Sequence, residues 1–415
     1  MLRRAITTGC CPVAAGTALS ACAPSPAPAP TGSAHPTASA PATPAASPSP
    51  TPVPVPPGPF AVVVTNSGRT GATYEIMLIN DDAQVVASTT AQLPTLQPNQ
   101  SLRLPLVSVS NTTAYFLDGN PAIDSLSPTG ATAPATQVAD GASKEIAFAV
   151  SPDNQLITIA EISEEPETDN DTGEGYVQDL ANGGNPISLW NNDGTYALRW
   201  PAGWDGTSLI DEISGPSQGC EGYGSCGGDS YHVVDPTTGD LIDTVCQTPA
   251  SQPAYGTPNA TITSSAIQGL PTPAGTACYE TADSYDQYGQ YAGETDSVEA
   301  VDWSGNATTF TQSTPGPDQS GGVDLYTCTL SPDGSRMACR SSSNGALALV
   351  SSNANITNTG HTYNGIMGWI DATHLLVDVD SGDLGVLDPD TGALTTLAVP
   401  EASDVEMVAT LPGSL

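Results

Sequence analysis

The sequence predicts an all-β fold, a single β-propeller with seven four-stranded blades, in residues 58–415. Three observations support this prediction. Two stereotyped turns recur between short apolar strands, Gly and Pro are abundant at 41 and 38 residues, and long apolar segments with helical periodicity are missing from the sequence. Repeated strand–turn–strand units of this spacing are typical of propeller blades, although the spacing also fits six or eight blades.

The recurrent turns are of two kinds. Ser-Pro-Asp followed by Asn or Gly occurs at Ser151–Asn154 and Ser331–Gly334, and Asp-Pro-x-Thr-Gly occurs at Asp235–Gly239 and Asp388–Gly392. Proline fixes φ at an early turn position, Asp accepts hydrogen bonds from the backbone, and Gly or Asn adopts positive φ. Each turn therefore predicts a tight hairpin.

These hairpins carry a family resemblance. Ser-Pro-Asp-Gly between strands of small apolar residues resembles the TolB-like and WD-repeat families of β-propellers, and the Asp-Pro-x-Thr-Gly hairpin is similar to a turn of related bacterial propellers. The pattern covers most of Phe60–Leu411 and is sharp at the four turns. Trp204-Asp205 is a Trp-Asp dipeptide that does not recur from unit to unit. The resemblance implies a propeller fold.

Aligning the turns divides the domain into blades. Phe60–Thr90 offers three strands and Val405–Leu411 a fourth, so we expect the two chain ends to pair in blade one, because an open ring would leave two sheet edges unpaired. The other six blades follow in chain order: Leu102–Val138, Lys144–Trp190, Leu198–Cys246, Thr261–Thr311, Asp324–Tyr363 and Gly365–Ala398.

The N-terminus predicts export and membrane anchoring. Residues 1–21 have the form of a signal peptide with Arg3 and Arg4 at its start, and Leu19–Cys22 resembles the lipobox of bacterial lipoproteins, which implies a diacylglycerol on Cys22. A cleaved signal with an incidental Cys is the alternative, and both the general and the twin-arginine export routes stay open. Residues 22–57 are rich in Pro, Ala, Ser and Thr and predict an extended stalk. The expected location is the extracytoplasmic side of the cell membrane.

Charge and cysteine content narrow the function. Eight Lys and Arg oppose 44 Asp and Glu, which disfavours non-specific nucleic-acid binding. An acidic surface suits solubility, cation-rich media or a basic partner. Beyond Cys22, an even number of cysteines in an exported chain favours disulfides. Cys328 and Cys339 flank one Ser-Pro-Asp-Gly turn symmetrically, and Cys220 and Cys226 would close a Gly-rich loop. The pair Cys246–Cys278 follows by elimination, with two buried thiols as the alternative.

Three adjacent blades carry long predicted loops between their second and third strands: Ser163–Gly173, Ser214–Asp229 and Asp283–Ser297. Such loops emerge on one face of a propeller, so we expect a raised rim that binds a protein or glycan partner. Candidate contact residues are the tyrosines of two of these loops: Tyr223, Tyr285, Tyr288 and Tyr291. Tyrosines that cover the domain are the alternative.

Cofactor and catalytic candidates are sparse. A possible Ca²⁺ site consists of carboxylates at Asp169, Asp171 and Glu174, because this ion prefers oxygen ligands. The alternative interpretation is a solvated acidic loop without metal. No other cofactor is expected. Gly228–Ser230 with Asp371–His374 superficially matches GDSL hydrolases, but the strand–helix context of that fold is missing. We therefore expect a non-catalytic binding, sensing or scaffolding module. The alternatives are a propeller hydrolase or lyase acting on surface polysaccharide and a calcium-stabilised adhesin-like module.

Overall fold

The computed structural model shows an all-β chain. It describes residues 58–65, 72–95, 104–138, 144–165, 170–193, 198–214, 230–247, 253–313, 323–341, 345–353, 355–379, 383–397, 399 and 405–411. These residues contain no helix, and therefore none that could cross a bilayer. The predicted signal peptide, Cys22 and the stalk lie outside the described residues, so lipidation stays a prediction.

Seven antiparallel four-stranded sheets form the blades of a β-propeller. Blade one contains the first three strands and the last one: β1 (Phe60–Val64), β2 (Thr73–Asn80), β3 (Val85–Gln92) and β28 (Glu406–Leu411). Blades two and three follow: β4 (Val107–Val109), β5 (Ala114–Asp118), β6 (Ala122–Leu126), β7 (Thr132–Gln137), β8 (Glu145–Val150), β9 (Leu156–Glu165), β10 (Asn170–Asp179) and β11 (Ile187–Asp193).

The remaining four blades each use four consecutive strands. Blades four and five contain β12 (Leu198–Asp205), β13 (Ser208–Ser214), β14 (Ser230–Val234), β15 (Leu241–Val245), β16 (Thr261–Thr272), β17 (Gly275–Tyr285), β18 (Tyr291–Val301) and β19 (Ala307–Ser313). Blades six and seven contain β20 (Val323–Leu330), β21 (Arg336–Ser341), β22 (Ala346–Ser351), β23 (Ile356–Thr362), β24 (Gly365–Trp369), β25 (Leu375–Asp378), β26 (Leu384–Asp388) and β27 (Ala393–Leu397).

Pairing of the two chain ends closes the ring, as predicted. β28 runs antiparallel to β1, with Phe60 opposite Leu411 and Val64 opposite Glu406. All five residues of β1 are buried, because the strand lies between β28 and β2 and its sheet packs against neighbouring blades. Pairing with β28 covers the edge of β1 that would otherwise be open.

Apolar side chains pack between successive blades. Strand β8 is buried along its whole length, which explains why its sequence after Glu145 is a continuous apolar run rather than an alternating one. Two tryptophans join blades by donating to backbone carbonyls: Trp204 Nε1 lies 3.3 Å from the Ala149 oxygen, and Trp369 Nε1 lies 3.0 Å from the Thr329 oxygen. The Gly-Trp dipeptides of blades four and seven therefore play equivalent structural roles.

The recurrent turns behave as predicted. In blade six the Ser331 amide donates to the Arg336 carbonyl at 2.9 Å, and Gly334 has φ +70°. In blade seven the Gly392 amide donates to the Asp388 carbonyl at 2.8 Å, and Gly392 has φ +73°. Turns joining first to second and third to fourth strands share one side of the ring, the turn face. Links between second and third strands share the other side, the hairpin face.

On the hairpin face two of the predicted loops are longer hairpins than expected. In blade three, β9 reaches Glu165 and β10 begins at Asn170, and in blade five, β17 reaches Tyr285 and β18 begins at Tyr291. The prediction of long loops was wrong here because the backbone pairing continues through polar residues that carry no apolar alternation. Most of the third loop, residues 215–229, lies outside the described residues.

Two of the three predicted disulfides are confirmed. Cys246 and Cys278 are bonded with a Cα–Cα distance of 5.5 Å and join blade four to blade five. Cys328 and Cys339 are bonded across the hairpin of blade six with a Cα–Cα distance of 4.1 Å. Cys220 and Cys226 lie outside the described residues, so their pairing stays a prediction.

Candidate functional site

The hairpin of blade five is the most extended element of the hairpin face that the structure describes. Strands β16, β17 and β18 contain 12, 11 and 11 residues, whereas β5 and β6 of blade two contain five each. The pairing of β17 with β18 runs from Thr276 opposite Val301 to Tyr285 opposite Tyr291. The tip of this hairpin therefore lies several residue pairs beyond the end of a short blade.

A compact turn ends the hairpin. The Asp286 carboxylate oxygen Oδ1 accepts the amides of Tyr288 at 2.8 Å and Gln290 at 2.9 Å. The segment before β16 packs against this tip, with the Asn259 amide 3.0 Å from the Asp286 carbonyl and the Tyr285 amide 3.0 Å from the Ala260 carbonyl. These bonds fix both the turn and the segment that leads into the blade.

Tyrosine side chains cover the tip. The rings of Tyr285 and Tyr291 pack edge to face with centroids 6.2 Å apart, and those of Tyr255 and Tyr285 do so at 6.5 Å. Tyr255, Tyr288 and Tyr291 are 78%, 75% and 58% exposed. Rings that support one another while remaining open to solvent form a preorganised contact surface. We call Tyr255, Tyr285, Tyr288 and Tyr291 the tyrosine tip.

Carboxylates lie beside the tyrosine tip on the same hairpin. Asp283 is directly opposite Glu294, and Asp296 follows two residues later on β18. Burial, followed by the charges of Asp296 and Asp283, raises the pKa of Glu294. Burial and the neighbouring carboxylates, Glu294 foremost, also raise the pKa of Tyr291, so its hydroxyl stays protonated at neutral pH. The surface thus combines neutral aromatic rings with concentrated negative charge.

The structure brings together three of the predicted tyrosines, Tyr285, Tyr288 and Tyr291, whereas Tyr223 lies outside the described residues. It adds Tyr255, which the sequence analysis missed. A sequence signal for it exists, because the dipeptide Tyr-Gly occurs at both 255–256 and 288–289. Gly256 and Gly289 pack so closely that a Cβ on Gly289 would overlap the Gly256 carbonyl oxygen, which brings the two segments together.

The negative charge of the blade-three hairpin is partly neutralised by Lys144, which directly precedes β8. Lys144 Nζ lies 2.7 Å from a Glu161 oxygen and 3.1 Å from a Glu174 oxygen, and the Tyr176 hydroxyl donates to Glu161 at 2.7 Å. Glu174, one of the calcium candidates, therefore pairs with Lys144. Asp169 lies outside the described residues, and of Asp171 only the place in β10 is described. Calcium binding stays a prediction.

Basic side chains are engaged in internal contacts. Arg199 binds the fully buried Asp211 through Nε at 2.8 Å and a terminal nitrogen at 2.7 Å, and its guanidinium lies 5.5 Å from the Trp190 ring centroid. Burial raises the pKa of Asp211 in spite of Arg199. With Lys144 and Arg336 also in ion pairs, three of the four Lys and Arg that the structure describes are paired with carboxylates.

A cavity of about 50 Å³ lies between the innermost strands of blades one, two, four and five, enough for roughly three water molecules. Its lining consists of small, apolar and hydroxyl residues: Val107, Ser108, Val109, Ala202, Gly203, Pro271, Pro273, Val408, Ala409 and Thr410. This set contains no carboxylate, imidazole or thiol.

The residues that superficially matched a GDSL hydrolase are separated. Ser230 begins β14 on the hairpin face, whereas Asp371 and His374 lie in a turn on the turn face. Of the other described histidines, burial and the charge of Arg199 lower the pKa of His232, and His361 packs near Tyr363.

The chain was compared with protein-family models, curated proteins and solved structures, and similarity was found among the solved structures. No protein-family model matches the chain, and no curated protein matches it. Among solved structures, the chain is similar to a manganese-bound oligogalacturonate lyase at 12% identity and a TM-score of 0.44, with 79% of this chain and 84% of that one covered.

Two further structures have comparable similarity. For an oligogalacturonate lyase of Vibrio parahaemolyticus the identity is 10%, the TM-score 0.43 and the coverage 81% and 90%. For the periplasmic gluconolactonase of Pseudomonas aeruginosa these values are 14%, 0.41, 84% and 98%. At these identities and TM-scores nothing about the activity of this chain follows from the similarity, and its fold is defined by its own strand pairings.

Proposed function

We propose that this protein is a membrane-anchored, extracytoplasmic propeller that acts as a non-catalytic binding module, with the tyrosine tip of blade five as its contact surface. The observation that carries the proposal is the packing of Tyr285 against Tyr255 and Tyr291 while Tyr255 and Tyr291 remain mostly exposed. Tyrosine is enriched where protein surfaces recognise one another, and ordered rings lose little conformational entropy on binding.

The chemistry of the tip favours a basic protein segment as partner. Asp283 and Glu294 supply negative charge beside the rings, so a Lys or Arg side chain gains both a charge-assisted contact and a cation–π contact there. The chain as a whole carries a formal charge of −36, which attracts basic partners and repels acidic polysaccharides. Three described bases are already paired internally, which also disfavours an anionic ligand.

The anchoring part of the proposal depends on sequence. The lipobox-like Leu19–Cys22 and the uncharged stalk of residues 22–57 would hold the propeller at a distance from the membrane. The two disulfides are consistent with an oxidising compartment outside the cytoplasm. Membership of the TolB-like or WD-repeat families stays a prediction from the turn motifs.

The experiment removes the rings without changing charge. The whole chain with Tyr285→Ser and Tyr291→Ser is compared with wild type and with Tyr363→Ser, which removes a partly exposed tyrosine of blade six. Binding is measured by interferometry to an immobilised Lys- and Arg-rich peptide, to neutral dextran and to polygalacturonate at 150 mM salt, an ionic strength at which long-range charge effects are largely screened, the Debye length being ~8 Å.

We expect wild type and the Tyr363 variant to bind the basic peptide equally, and the double variant to bind at least ~10-fold more weakly, a loss of about 1.4 kcal/mol. Equal binding by all three proteins would assign the attraction to net charge and refute the proposed tip. Ring-dependent binding to dextran alone would replace the basic segment by a neutral glycan. Preferential binding or cleavage of polygalacturonate would favour the polysaccharide-enzyme alternative.

A further inference from the structure

Two neighbouring blade junctions on the turn face are built alike but carry different charges. At the junction of blades six and seven, Arg336 follows the turn between β20 and β21. Its guanidinium lies 2.7 Å from an oxygen of Asp390, in the turn between β26 and β27, and donates to the Ala372 carbonyl at 2.6 Å. An ion pair therefore links the two blades.

At the next junction, between blades seven and one, the arginine position holds a histidine. The Ile370 amide donates to the His374 carbonyl at 2.8 Å, just as the Ser331 amide donates to the Arg336 carbonyl at 2.9 Å. The facing turn, between β2 and β3 of blade one, holds Asp81. One potential ligand atom each of Asp81, Asp371 and His374 lies within 4.8 Å of the other two.

Local hydrogen bonds hold two of these three groups in place. One Asp371 carboxylate oxygen accepts the amides of Thr373 at 2.6 Å and His374 at 2.7 Å, and the other lies 2.8 Å from His374 Nδ1. The turn thus fixes both the carboxylate and the imidazole ring. Asp81 is exposed and can adjust its side chain.

We propose that Asp81, Asp371 and His374 bind a divalent transition-metal ion of the zinc type across the junction of blades one and seven. A set of one imidazole and two carboxylates suits Zn²⁺, Mn²⁺, Co²⁺ or Ni²⁺, whereas Ca²⁺ and Mg²⁺ prefer oxygen ligands throughout. Three protein ligands at a partly exposed site leave room for water in the remaining positions.

The position gives the ion a structural role that does not depend on the proposed function. Blade one is assembled from both ends of the chain, and Asp81 belongs to its N-terminal part, so an ion held jointly with blade seven would connect the first strands of the chain to the last complete blade. An ion shared by both blades would link them at this junction, as the Arg336–Asp390 ion pair links blades six and seven at the previous one. Because the ligands come from distant parts of the sequence, the ion would bind the folded ring and stabilise it by mass action.

The test uses the whole chain, stripped of metal with a chelator and dialysed. Melting temperature is followed during titration with ZnCl₂, MnCl₂ and CaCl₂, and stoichiometry is read from Co²⁺ absorption. The variants are Asp81→Asn, which alters an exposed turn residue outside the hydrogen bonds of the Asp371 turn, and His374→Ala. His361→Ala is the control, because His361 is an exposed histidine in β23 that is not one of the three proposed ligands.

We expect one Co²⁺ per chain, a rise in melting temperature with Zn²⁺ and not with Ca²⁺, and loss of both responses in Asp81→Asn and His374→Ala but not in His361→Ala. Absence of any response to transition metals in wild type would overturn the proposal, as would an undiminished response in Asp81→Asn. A response to Ca²⁺ alone would also contradict it. If His374→Ala fails to fold, Asp81→Asn decides the matter.

Discussion

The two faces of the ring are built from the same backbone pairing, but the pKa values of Asp388 and Asp235 on the turn face and of Glu294 on the hairpin face are shifted in opposite directions. On the turn face, the Thr391 hydroxyl and amide and the Asp390 amide lower the pKa of Asp388, and equivalent bonds from Thr237 lower that of Asp235. On the hairpin face, burial and like charges raise the pKa of Glu294. The Asp388 and Asp235 carboxylates are thus stabilised by their turns, whereas the ionised Glu294 carboxylate is held at a cost.

This difference suggests a division of roles. In the Asp388 and Asp235 turns the carboxylates are bound by their own turn residues, whereas the tyrosine tip leaves aromatic rings exposed beside Asp283 and Glu294. Groups that cost stability persist where they serve binding. Substitutions on the turn face should therefore change stability, and those at the tyrosine tip should change binding.

The largest expected effect is on the turn face, at Gly275. Its φ is +118°, and an added Cβ would overlap the Val301 carbonyl oxygen at the end of β18. We expect Gly275→Ala to lower the free energy of unfolding by about 3 kcal/mol, from left-handed strain and overpacking together. Urea denaturation monitored by tryptophan fluorescence measures it.

Gly130→Ala is the matched control for that substitution. Gly130 also has positive φ, at +80°, but nothing lies within 4 Å of the position of its Cβ. It should lose only about 1 kcal/mol, from strain alone. Equal losses in the two variants would show that packing against Val301 contributes little.

The second effect concerns the buried hydroxyl of Ser331. Its oxygen accepts the Arg336 amide at 3.2 Å and donates to Asp333 at 2.7 Å. Ser331→Ala should cost about 1–2 kcal/mol, because the partly buried Arg336 amide and the Asp333 carboxylate each lose a partner. Ser335→Ala, which removes an exposed hydroxyl bonded to the same Asp333 oxygen, should cost a few tenths of a kcal/mol in the same denaturation assay.

These turns explain how far the sequence alone could predict the fold. Ser331, Asp333 and Gly334 each meet a local backbone requirement, so the tight hairpins, and with them the blades and ring closure, were predictable from short segments. The extent of β17 and β18 was not, because pairing continues through residues such as Asp283 and Glu294 that show no burial pattern.

Long-range contacts account for what the sequence analysis missed. Tyr255 reaches the tip through the packing of Gly256 on Gly289, and Asp81 reaches His374 because the ring brings its first and last blades together. Neither contact involves residues that are close in sequence. Candidate residues could therefore be chosen by type, but their grouping required the structure.

The third effect tests whether the rings of the tyrosine tip contribute little to the stability of the fold. Tyr285→Ser with Tyr291→Ser removes rings that are held mainly by each other and by Tyr255. We expect the melting temperature to change far less than in Gly275→Ala, while binding to the basic peptide falls. A collapse of the melting temperature to the level of Gly275→Ala would mean that the rings support the blade rather than a partner.

The smallest expected effect is a change in how melting temperature depends on pH, of opposite sign for Asp388 on the turn face and Glu294 on the hairpin face. Because the pKa of Asp388 is lowered on folding, its carboxylate stabilises the fold above its ordinary pKa of 3.8, and this contribution is lost as pH falls through the folded value. Asp388→Asn should therefore melt at a lower temperature than wild type at pH 7, and the difference should shrink below pH 3.8.

Glu294 should behave in the opposite way. Its pKa is raised on folding, so the contribution of the group is fully present below its ordinary pKa of 4.5 and is lost as pH rises through the folded value. Glu294→Gln should melt at a higher temperature than wild type at pH 7, and the gain should vanish below pH 4.5. Melting curves at constant ionic strength from pH 3 to pH 8 compare the two variants. Shifts of the same sign at pH 7 would contradict the contrast between the faces, because one group would then not carry the cost that its surroundings impose.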